Sequence, residues 1–389
     1  MRVIIVGAGL SGLACAHGLI GLGIDVAVYE RDAAADSRPQ GYRIQLDPPG
    51  LNGLKRCLPE QVYRLCLNAA GAPELPPRVL DSRLRPVAER ARMVQSYSPQ
   101  TRAYAFDRAT LRANMIEHLP VPVSFGKQFT ALETRSDGRI TVHFADGDHD
   151  VADLLVGADG VGSAVRGTVL PDARVDDAGM RLIYGKIPAS AANALPDWVF
   201  EAIFTVATGP GHAHVGVGPV IPGDRPKQST QRPSSSADYV ACLVGAPATH
   251  PSMRPFEELR ALRGRDLARL ARDLIGPDWH PDIHQVLDHW EPDSLFPLRI
   301  ASAAPIDGWN TPGVTLLGDA VHAMSPVLAM GANTALRDAG ELTNLLGIAL
   351  ADNSPVHEAV AEYQRRMLAY AIPLVEASRR IGRERVGQH

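Results

Sequence analysis

Lysine is scarce in this chain of 389 residues. Of 39 basic residues only four are lysines (Lys55, Lys127, Lys186 and Lys227), and 43 acids bring the formal net charge to −4. That balance argues against a general nucleic-acid or membrane-surface binder, which needs a clustered basic excess. The surplus of arginine over lysine fits a GC-rich coding genome and carries little functional weight. Cysteine is sparse too. Cys15, Cys57, Cys66 and Cys242 make no C-x-x-C pair and no cluster with histidine, so neither a disulfide framework nor a cysteine–histidine metal site is expected. The thiols read as reduced and the protein as cytoplasmic. No run of about eighteen apolar residues occurs, so no transmembrane helix and no stable membrane insertion is expected. There is no internal repeat. An apolar content of 45% supports an ordinary core, and the length suits two domains or one large elaborated one.

What is present begins at the first residues. Val3 to Val6 is a short β-branched run and reads as a buried parallel strand. Gly7, Gly9 and Gly12 follow as G-x-G-x-x-G, with Leu10 and Ser11 inside the motif, and an Ala-rich helical pattern runs from Leu10 to about Leu22. A second strand, Asp25 to Tyr29, ends on Glu30 and Arg31. This is a complete β-α-β dinucleotide fingerprint. Gly7 permits the tight turn, Gly9 lets a pyrophosphate approach the backbone, and Gly12 lets helix and strand pack closely. Pyrophosphate would sit on the helix N-terminus. Glu30 would accept a hydrogen bond from an adenosine ribose hydroxyl and repel a 2′-phosphate, which favours FAD or NAD over NADP at this first site. The segment is not expected to be a secretory leader, because glycines interrupt its apolar run and no small-residue cleavage site precedes the polar turn.

Beyond Glu30, Gly41–Leu46 reads as a strand, Pro49–Leu58 as a helix start and 59–69 as helical. Arg43 lies between apolar neighbours, compatible with a side chain entering a cleft or with an edge-strand surface position. Residues 70–102 are Pro-rich and irregular, with strand-like pieces at Val79–Leu80 and Met93–Val94. Tyr104–Phe106 then leads into a helix N-capped by Asp107. Residues 121–156 read as a strand meander with hairpin turns at Asp137–Gly138 and Asp146–Gly147. Alternating runs at Arg181–Ile187, Trp198–Val206, His212–Val220 and Tyr239–Val244 suggest an antiparallel sheet, with a mobile Pro/Ser-rich loop at 223–237. Phe256 to Ile275 reads as one amphipathic helix. Pro297–Ile300 returns toward the nucleotide domain, Val314–Leu317 is another buried strand, and long helices from about Gly331 and about Pro355 follow, the latter kinked at Pro373.

Three strand-to-loop elements thus stand at the ends of parallel strands: GAGLSG from Gly7, GADGVGSAVR at 157–166, and GDAVHAMSPVLAMGANTALRDA from Gly318. Ligands of doubly wound folds bind beyond the carboxyl ends of strands, and three such loops suit one long dinucleotide. These motifs closely resemble those of the group A, para-hydroxybenzoate hydroxylase-like FAD-dependent aromatic monooxygenases, over nearly the whole chain. The resemblance implies an α/β fold: a Rossmann-like FAD-binding domain (1–69, 103–175, 297–350), an inserted antiparallel-sheet substrate domain (70–102, 176–296) and a C-terminal helical segment (351–389). No thioredoxin-like extension is expected. It also implies FAD contacts from Asp159 and Gly160 of the DG motif and from Gly318 and Asp319 of the GD motif. Pro326, Gly331, Ala332 and Asn333 would join them, with Arg108 along the phosphate–ribityl region and Arg43 counted in the same set. Ser163, Arg166 and His322 match motif positions. His322 reads as a packed, hydrogen-bonded residue rather than a catalyst. Ala329 departs from the family, which usually has glycine there.

Physically, Asp319 would take ribityl hydroxyls, and the helix from Gly331 would aim its N-terminal dipole at the flavin N1–C2=O locus. The resemblance implies that NAD(P)H, binding transiently, reduces FAD, that O2 adds at flavin C4a, and that the distal peroxide oxygen passes to an aromatic or polycyclic substrate. Baeyer–Villiger or epoxidising chemistry, a reductase or halogenase, and a non-catalytic FAD-binding accessory protein remain open alternatives. A halogenase would carry W-x-W-x-I-P, which is absent. No general base is identifiable. Tyr184, Trp198 and Phe204 are candidates for a substrate cavity, with ordinary sheet core as the alternative. His212 and His214 would share a strand face, but no third metal ligand is evident. The middle sheet shows no conspicuous basic cluster, which favours a neutral multi-ring substrate.

Overall fold

The computed structural model describes residues 1–37, 41–71, 76–87, 103–221, 232–233 and 238–388. The strand-like piece Met93–Val94 and nearly all of the loop at 223–237 lie outside them. In chain order the strands are β1 (Arg2–Val6), β2 (Asp25–Tyr29), β3 (Arg43–Leu46), β4 (Arg78–Asp81), β5 (Tyr104–Asp107), β6 (Val123–Ser124), β7 (Phe129–Thr134), β8 (Ile140–Phe144), β9 (His149–Ala152), β10 (Leu154–Gly157), β11 (Val175–Pro188), β12 (Thr205–Thr208), β13 (His214–Val220), β14 (Tyr239–Pro247), β15 (Phe296–Ala303) and β16 (Val314–Leu316). The α-helices are α1 (Leu10–Gly21), α2 (Pro48–Cys57), α3 (Glu60–Asn68), α4 (Arg108–Glu117), α5 (Ala164–Val169), α6 (Phe256–Ala261), α7 (Gly264–Ile275), α8 (Pro281–Asp288), α9 (Asp319–His322), α10 (Gly331–Ala351) and α11 (Val356–Val386).

β1 is the centre of a five-stranded, all-parallel sheet ordered β16-β10-β1-β2-β6. Val3, Ile4 and Ile5 have no exposed surface, the state of a parallel strand covered on both faces. Its core joins α1, α2, α10 and α11. The three strands with glycine-bearing loops, β1, β10 and β16, are neighbours running in one direction, so their carboxyl-end loops open side by side. β7, β8 and β9 form a separate antiparallel meander, with glycines at φ 82° and 90° in its two hairpin turns. Tyr363 of α11 donates a 3.0 Å bond to the Leu316 carbonyl and ties the last helix to β16.

A second sheet has six strands ordered β15-β11-β14-β13-β12-β4, antiparallel except for the parallel β12–β4 pair. One face buries Ile183, Ile187, Val217 and Val244 against Leu267, Leu270 and Ile283 of the helices α7 and α8. Side chains alternate along a strand. The opposite face therefore carries Leu182, Tyr184 and Lys186 of β11 and Tyr239 and Leu243 of β14, and it packs on Tyr42 and Val327 of the parallel-sheet unit. Among the described residues no helix is long and apolar enough to cross a membrane.

The structure departs from the sequence reading at five places. Trp198–Val206 is not one strand: Asp197–Phe200 is a 3-10 turn after Pro196, and pairing starts at Thr205. His212 lies outside β13, in a turn at φ 60°, so it shares no strand face with His214. The helix expected over 256–275 is two helices, broken where Leu262 is extended and Gly264 takes φ 46°. α8 was not anticipated, although His280–Pro281 carries the cap-then-proline start of a helix. Residues 297–300 head toward the nucleotide unit, which their strand reaches at Ala303, whose N–H donates to the Ala323 carbonyl at 2.7 Å, but they are not yet part of it. They belong to β15, which pairs with β11 as an edge strand, and Phe296, Leu298 and Ile300 alternate onto the sheet face.

Candidate active site

The glycines of the first loop divide by what surrounds them. A Cβ on Gly7 would lie 2.3 Å from the Ala158 carbonyl oxygen, and one on Gly12 would lie 2.0 Å from the Gly7 carbonyl oxygen. Those two are demanded by the protein's own packing, Gly7 also by its φ of 108°. A Cβ on Gly9 would meet nothing within 4 Å. The space above Gly9 is open, and α1 begins there with no side-chain cap and no acid in its first turn. Free N–H groups and a positive dipole end facing open space suit a pyrophosphate.

Glu30 is buried and held in place. Its Oε2 accepts from the Ala8 N–H at 2.8 Å and its Oε1 from the Asp32 N–H at 3.0 Å. A carboxylate has about four acceptor positions, so each oxygen retains capacity for a ribose hydroxyl. Arg31 beside it is exposed. Arg112, which the sequence reading passed over, runs under this loop: its Nε donates to the Ala8 carbonyl at 2.8 Å and its Nη1 to the Ala35 carbonyl at 2.6 Å. It lies four residues beyond Arg108, one turn along α4, which is the signal that points to it. Arg108 is half-buried and approaches Gly41, with Nη1 3.8 Å from where a Cβ would stand.

The two later motifs are braced to each other. Asp159 does not face outward: its Oδ1 accepts from Ser163 Oγ at 2.5 Å and its Oδ2 from the N–H of Ala164 at 2.8 Å and of Val165 at 3.2 Å. It caps α5 and so shapes the turn through Gly160, which stands at φ 80° with open space around it. Arg166 is buried and donates to the carbonyls of Ala320 at 2.9 Å and Val161 at 3.0 Å, joining the second loop to the third. Burial pulls its pKa down despite Asp159 nearby.

In the third loop Gly318 takes φ 57° and donates its N–H to Asp338 Oδ2 at 2.8 Å. The same oxygen accepts from His322 Nε2 at 2.6 Å, and Oδ1 accepts from the Tyr370 hydroxyl at 2.6 Å. His322 and Asp338 have no exposed surface. Burial lowers the His322 pKa, but the Asp338 carboxylate outweighs it and the net direction is upward. Asp319, one residue after Gly318, is exposed and accepts no hydrogen bond from a described residue. It is a carboxylate held at a rigid turn with its acceptor capacity open.

The segment after His322 turns through Pro326–Leu328, passes Ala329 in the left-handed conformation (φ 55°), and enters α10 at Gly331 without a side-chain cap or an acid in the first turn. Asn333 is consumed by the protein: its Oδ1 accepts from the Asp47 N–H at 2.9 Å, and its Nδ2 donates to the carbonyls of Gln45 and Ala329, both at 3.0 Å. It positions the backbone of Gly331 and Ala332. Val327 packs on the cluster formed by Ala178, Met180, Leu182, Ile300 and Val386 at the sheet face. Arg43 reaches that face as well. Its Nη2 donates to the Ile203 carbonyl at 3.0 Å and its guanidinium lies 5.2 Å from the Phe204 ring centre. Of the aromatic candidates, Trp198 is buried in the helix-side core, whereas Tyr184 and Phe204 lie on the face toward the loops. Burial pushes the Tyr184 hydroxyl up to about 12.

Known proteins resemble this chain in sequence and fold. A family model described as an FAD binding domain matches residues 279–378, and one described as an NAD(P)-binding Rossmann-like domain matches residues 5–54. The chain is 30% identical over 405 residues to the 3-amino-4-hydroxybenzoate 2-monooxygenase PtnB3 of Streptomyces platensis, covering 99% of this chain and 87% of that one. It is 30% identical over 412 residues to the dual O-methyltransferase/FAD-dependent monooxygenase CTB3 of Cercospora beticola, covering 99% of this chain and 46% of that protein. The chain therefore spans about half the length of the first curated relatives it matches. A crystal structure from Photorhabdus luminescens, provisionally assigned as an FAD-containing monooxygenase, superposes with a TM-score of 0.83 at 28% identity, covering 99% of this chain and 98% of that one.

Proposed function

Because the chain belongs to the family of FAD-dependent aromatic monooxygenases, we propose that it uses NAD(P)H and O2 to place one oxygen atom on an aromatic or polycyclic small molecule. When bound, FAD supplies the redox chemistry: acceptance of hydride from the nicotinamide and activation of O2. The N–H groups opening α1 would hold the pyrophosphate, Glu30 the adenosine ribose and Asp319 the ribityl hydroxyls. The uncapped start of α10 would stabilise negative charge developing at the flavin ring. On this reading the parallel-sheet unit holds the dinucleotide and the six-stranded unit the substrate.

The observation that carries the reading is the packing of Val327 against the sheet-face cluster that includes Met180, Leu182 and Ile300. It brings the loop that would border the flavin against the apolar sheet face, so that a substrate held on that face would be desolvated beside the reacting ring. The name of PtnB3, a 3-amino-4-hydroxybenzoate 2-monooxygenase, supports an aromatic substrate. The test is anaerobic reduction of the yellow holoprotein by NADPH and by NADH, followed spectrally with and without a panel of phenolic and polycyclic compounds. Bleaching accelerated by an aromatic compound, followed by its oxygenation on admission of air, is the expected result. Absence of bleaching by either nicotinamide overturns the reading.

A further inference from the structure

Resting on the reading that the Pro326–Leu328 turn borders the flavin, we propose that Gln388 is a positioning residue for the cofactor. Seated in a notch at Gly382, it fixes Ser325, and through Ser325 the turn and the start of α10. Ser325 has no exposed surface and directly precedes Pro326. It is held by α11 and the turn that follows it. Gln388 Nε2 donates to Ser325 Oγ at 2.6 Å, and the Ser378 hydroxyl donates to the Ser325 carbonyl at 3.0 Å. Ser378 and Gln388 are themselves buried, and buried polar groups are costly unless they are paired in this way. No side chain caps the Pro326–Leu328 turn, and proline offers no N–H to anchor it. The hold on Ser325 supplies that anchor at one end. Asn333, donating to the Ala329 carbonyl at 3.0 Å, supplies it at the other.

Two glycines build the seat of Gln388. Gly387 ends α11 at φ 66°, which reverses the chain and brings the Gln388 N–H to the Gly382 carbonyl at 3.2 Å. A Cβ on Gly382 would lie 2.0 Å from Gln388 Oε1, so the carboxamide fills the space that any other residue type would occupy. The same segment is tied to the six-stranded sheet. Val386 belongs to the buried cluster with Met180, Leu182 and Ile300 on which Val327 packs. Arg379 donates to the Ala303 carbonyl at 3.0 Å and to Asp176 at 2.9 Å. The His212 ring lies against Gly387, where a Cβ would stand 2.8 Å from its Cδ2. Gln388 therefore holds the turn in a position set by the sheet as well as by the parallel-sheet unit. That position matters for charge. The start of α10 has neither a side-chain cap nor an acid in its first turn, so its positive dipole end favours the reduced, anionic flavin over the oxidised one. The effect falls off within a turn of helix, which makes it sensitive to where the preceding loop is held.

The experiment measures the two-electron reduction potential of the flavin in the holoprotein by anaerobic titration against a redox dye, with FAD content and the urea midpoint measured beside it. In Gln388→Ala the preference for reduced over oxidised FAD should fall by about 2- to 10-fold, the range for one hydrogen bond. At about 30 mV per tenfold for a two-electron couple, the potential drops by about 10 to 30 mV. Gly382→Ala, which expels the carboxamide from its notch, should reproduce the shift. Added to Gln388→Ala it should change nothing further, because the notch is then empty. A general weakening of the fold gives neither result. An unmoved potential in Gln388→Ala, whatever the urea midpoint does, shows a merely structural role and overturns the proposal. Shifts that add in the double variant also overturn it. Pro326→Ala separates this inference from the reading beneath it. If Pro326→Ala moves the potential and Gln388→Ala does not, the turn borders the flavin and only the role of Gln388 falls. If neither moves it, the placement of the turn falls as well.

Discussion

Replacing Asp338 by asparagine tests the framework beneath the cofactor loop. The carboxylate is fully buried and accepts three hydrogen bonds: from the Gly318 N–H, the His322 imidazole and the Tyr370 hydroxyl. Asparagine retains one acceptor oxygen and presents an NH2 group to donors, so at least one partner is left unsatisfied, and the charge that stabilises imidazolium disappears. Breaking a buried ion pair from one side costs about 3–5 kcal/mol. At an m-value of roughly 3 kcal/mol/M the urea midpoint falls by about 1 M or more. The same loop carries Asp319, so FAD should dissociate at lower denaturant than in the wild type. The pH dependence has a fixed sign. The His322 pKa is raised in the folded protein, so the stability it contributes is complete below its unfolded value, about 6.5, and is lost as pH rises through the folded value. Urea midpoints measured from pH 5 to 9 should therefore decline above about pH 6.5 in the wild type. They should lose that component in His322→Asn and in Asp338→Asn. An Asp338→Asn protein within about 1 kcal/mol of wild type, well below the range for a broken buried pair, or an unchanged pH profile, refutes the argument.

Three further outcomes separate ligand contacts from structural ones. Gly9→Glu should fold with little loss of stability, because a side chain there meets open space, but should purify largely free of FAD; full retention of the cofactor refutes the pyrophosphate assignment. Asp319→Ala should weaken FAD affinity by about tenfold or more through loss of a charged hydrogen bond while leaving the urea midpoint unchanged, since the carboxylate accepts nothing from described residues; equilibrium dialysis reads it. Ala329→Gly should stabilise by up to ~1 kcal/mol, because relief of the left-handed strain exceeds the entropy gained by the unfolded chain; a destabilised variant shows that the Ala329 methyl group is a packing element.

The parallel-sheet half was legible because its signals are local. A β-branched run, a glycine motif with helical periodicity and a terminal acid occupy thirty consecutive residues, and β1, α1 and β2 stand where those signals place them. The six-stranded sheet was less legible because its order is set at long range. Whether Phe296–Ala303 extends that sheet or returns to the other is decided by pairing with β11, more than a hundred residues earlier in the chain. The break between α6 and α7 falls where Leu262 and Arg263 are extended and Gly264 stands at φ 46°, which an apolar stripe continuing through it conceals.

Within the site, residue types in the motifs were easier to read than the direction in which each side chain points. Asp159 and Asn333 look like ligands by type and position, yet their polar atoms are engaged within the protein, those of Asn333 by backbone groups and those of Asp159 by two backbone N–H groups and the Ser163 hydroxyl. Asp338, near the end of the third motif, and Arg112 were not among the expected site residues and hold the third and first loops. The division has a physical basis. A long anionic cofactor is best held by backbone N–H groups and helix ends, because these are fixed before the ligand arrives and need little reorganisation. Fixing backbone in turns at positive φ requires buried side chains that accept from it, and carboxylates and amides perform that role most strongly. Most polar side chains of such a site therefore face inward. Asp319, whose carboxylate accepts nothing from described residues, is accordingly a side chain whose loss should affect the cofactor rather than the fold.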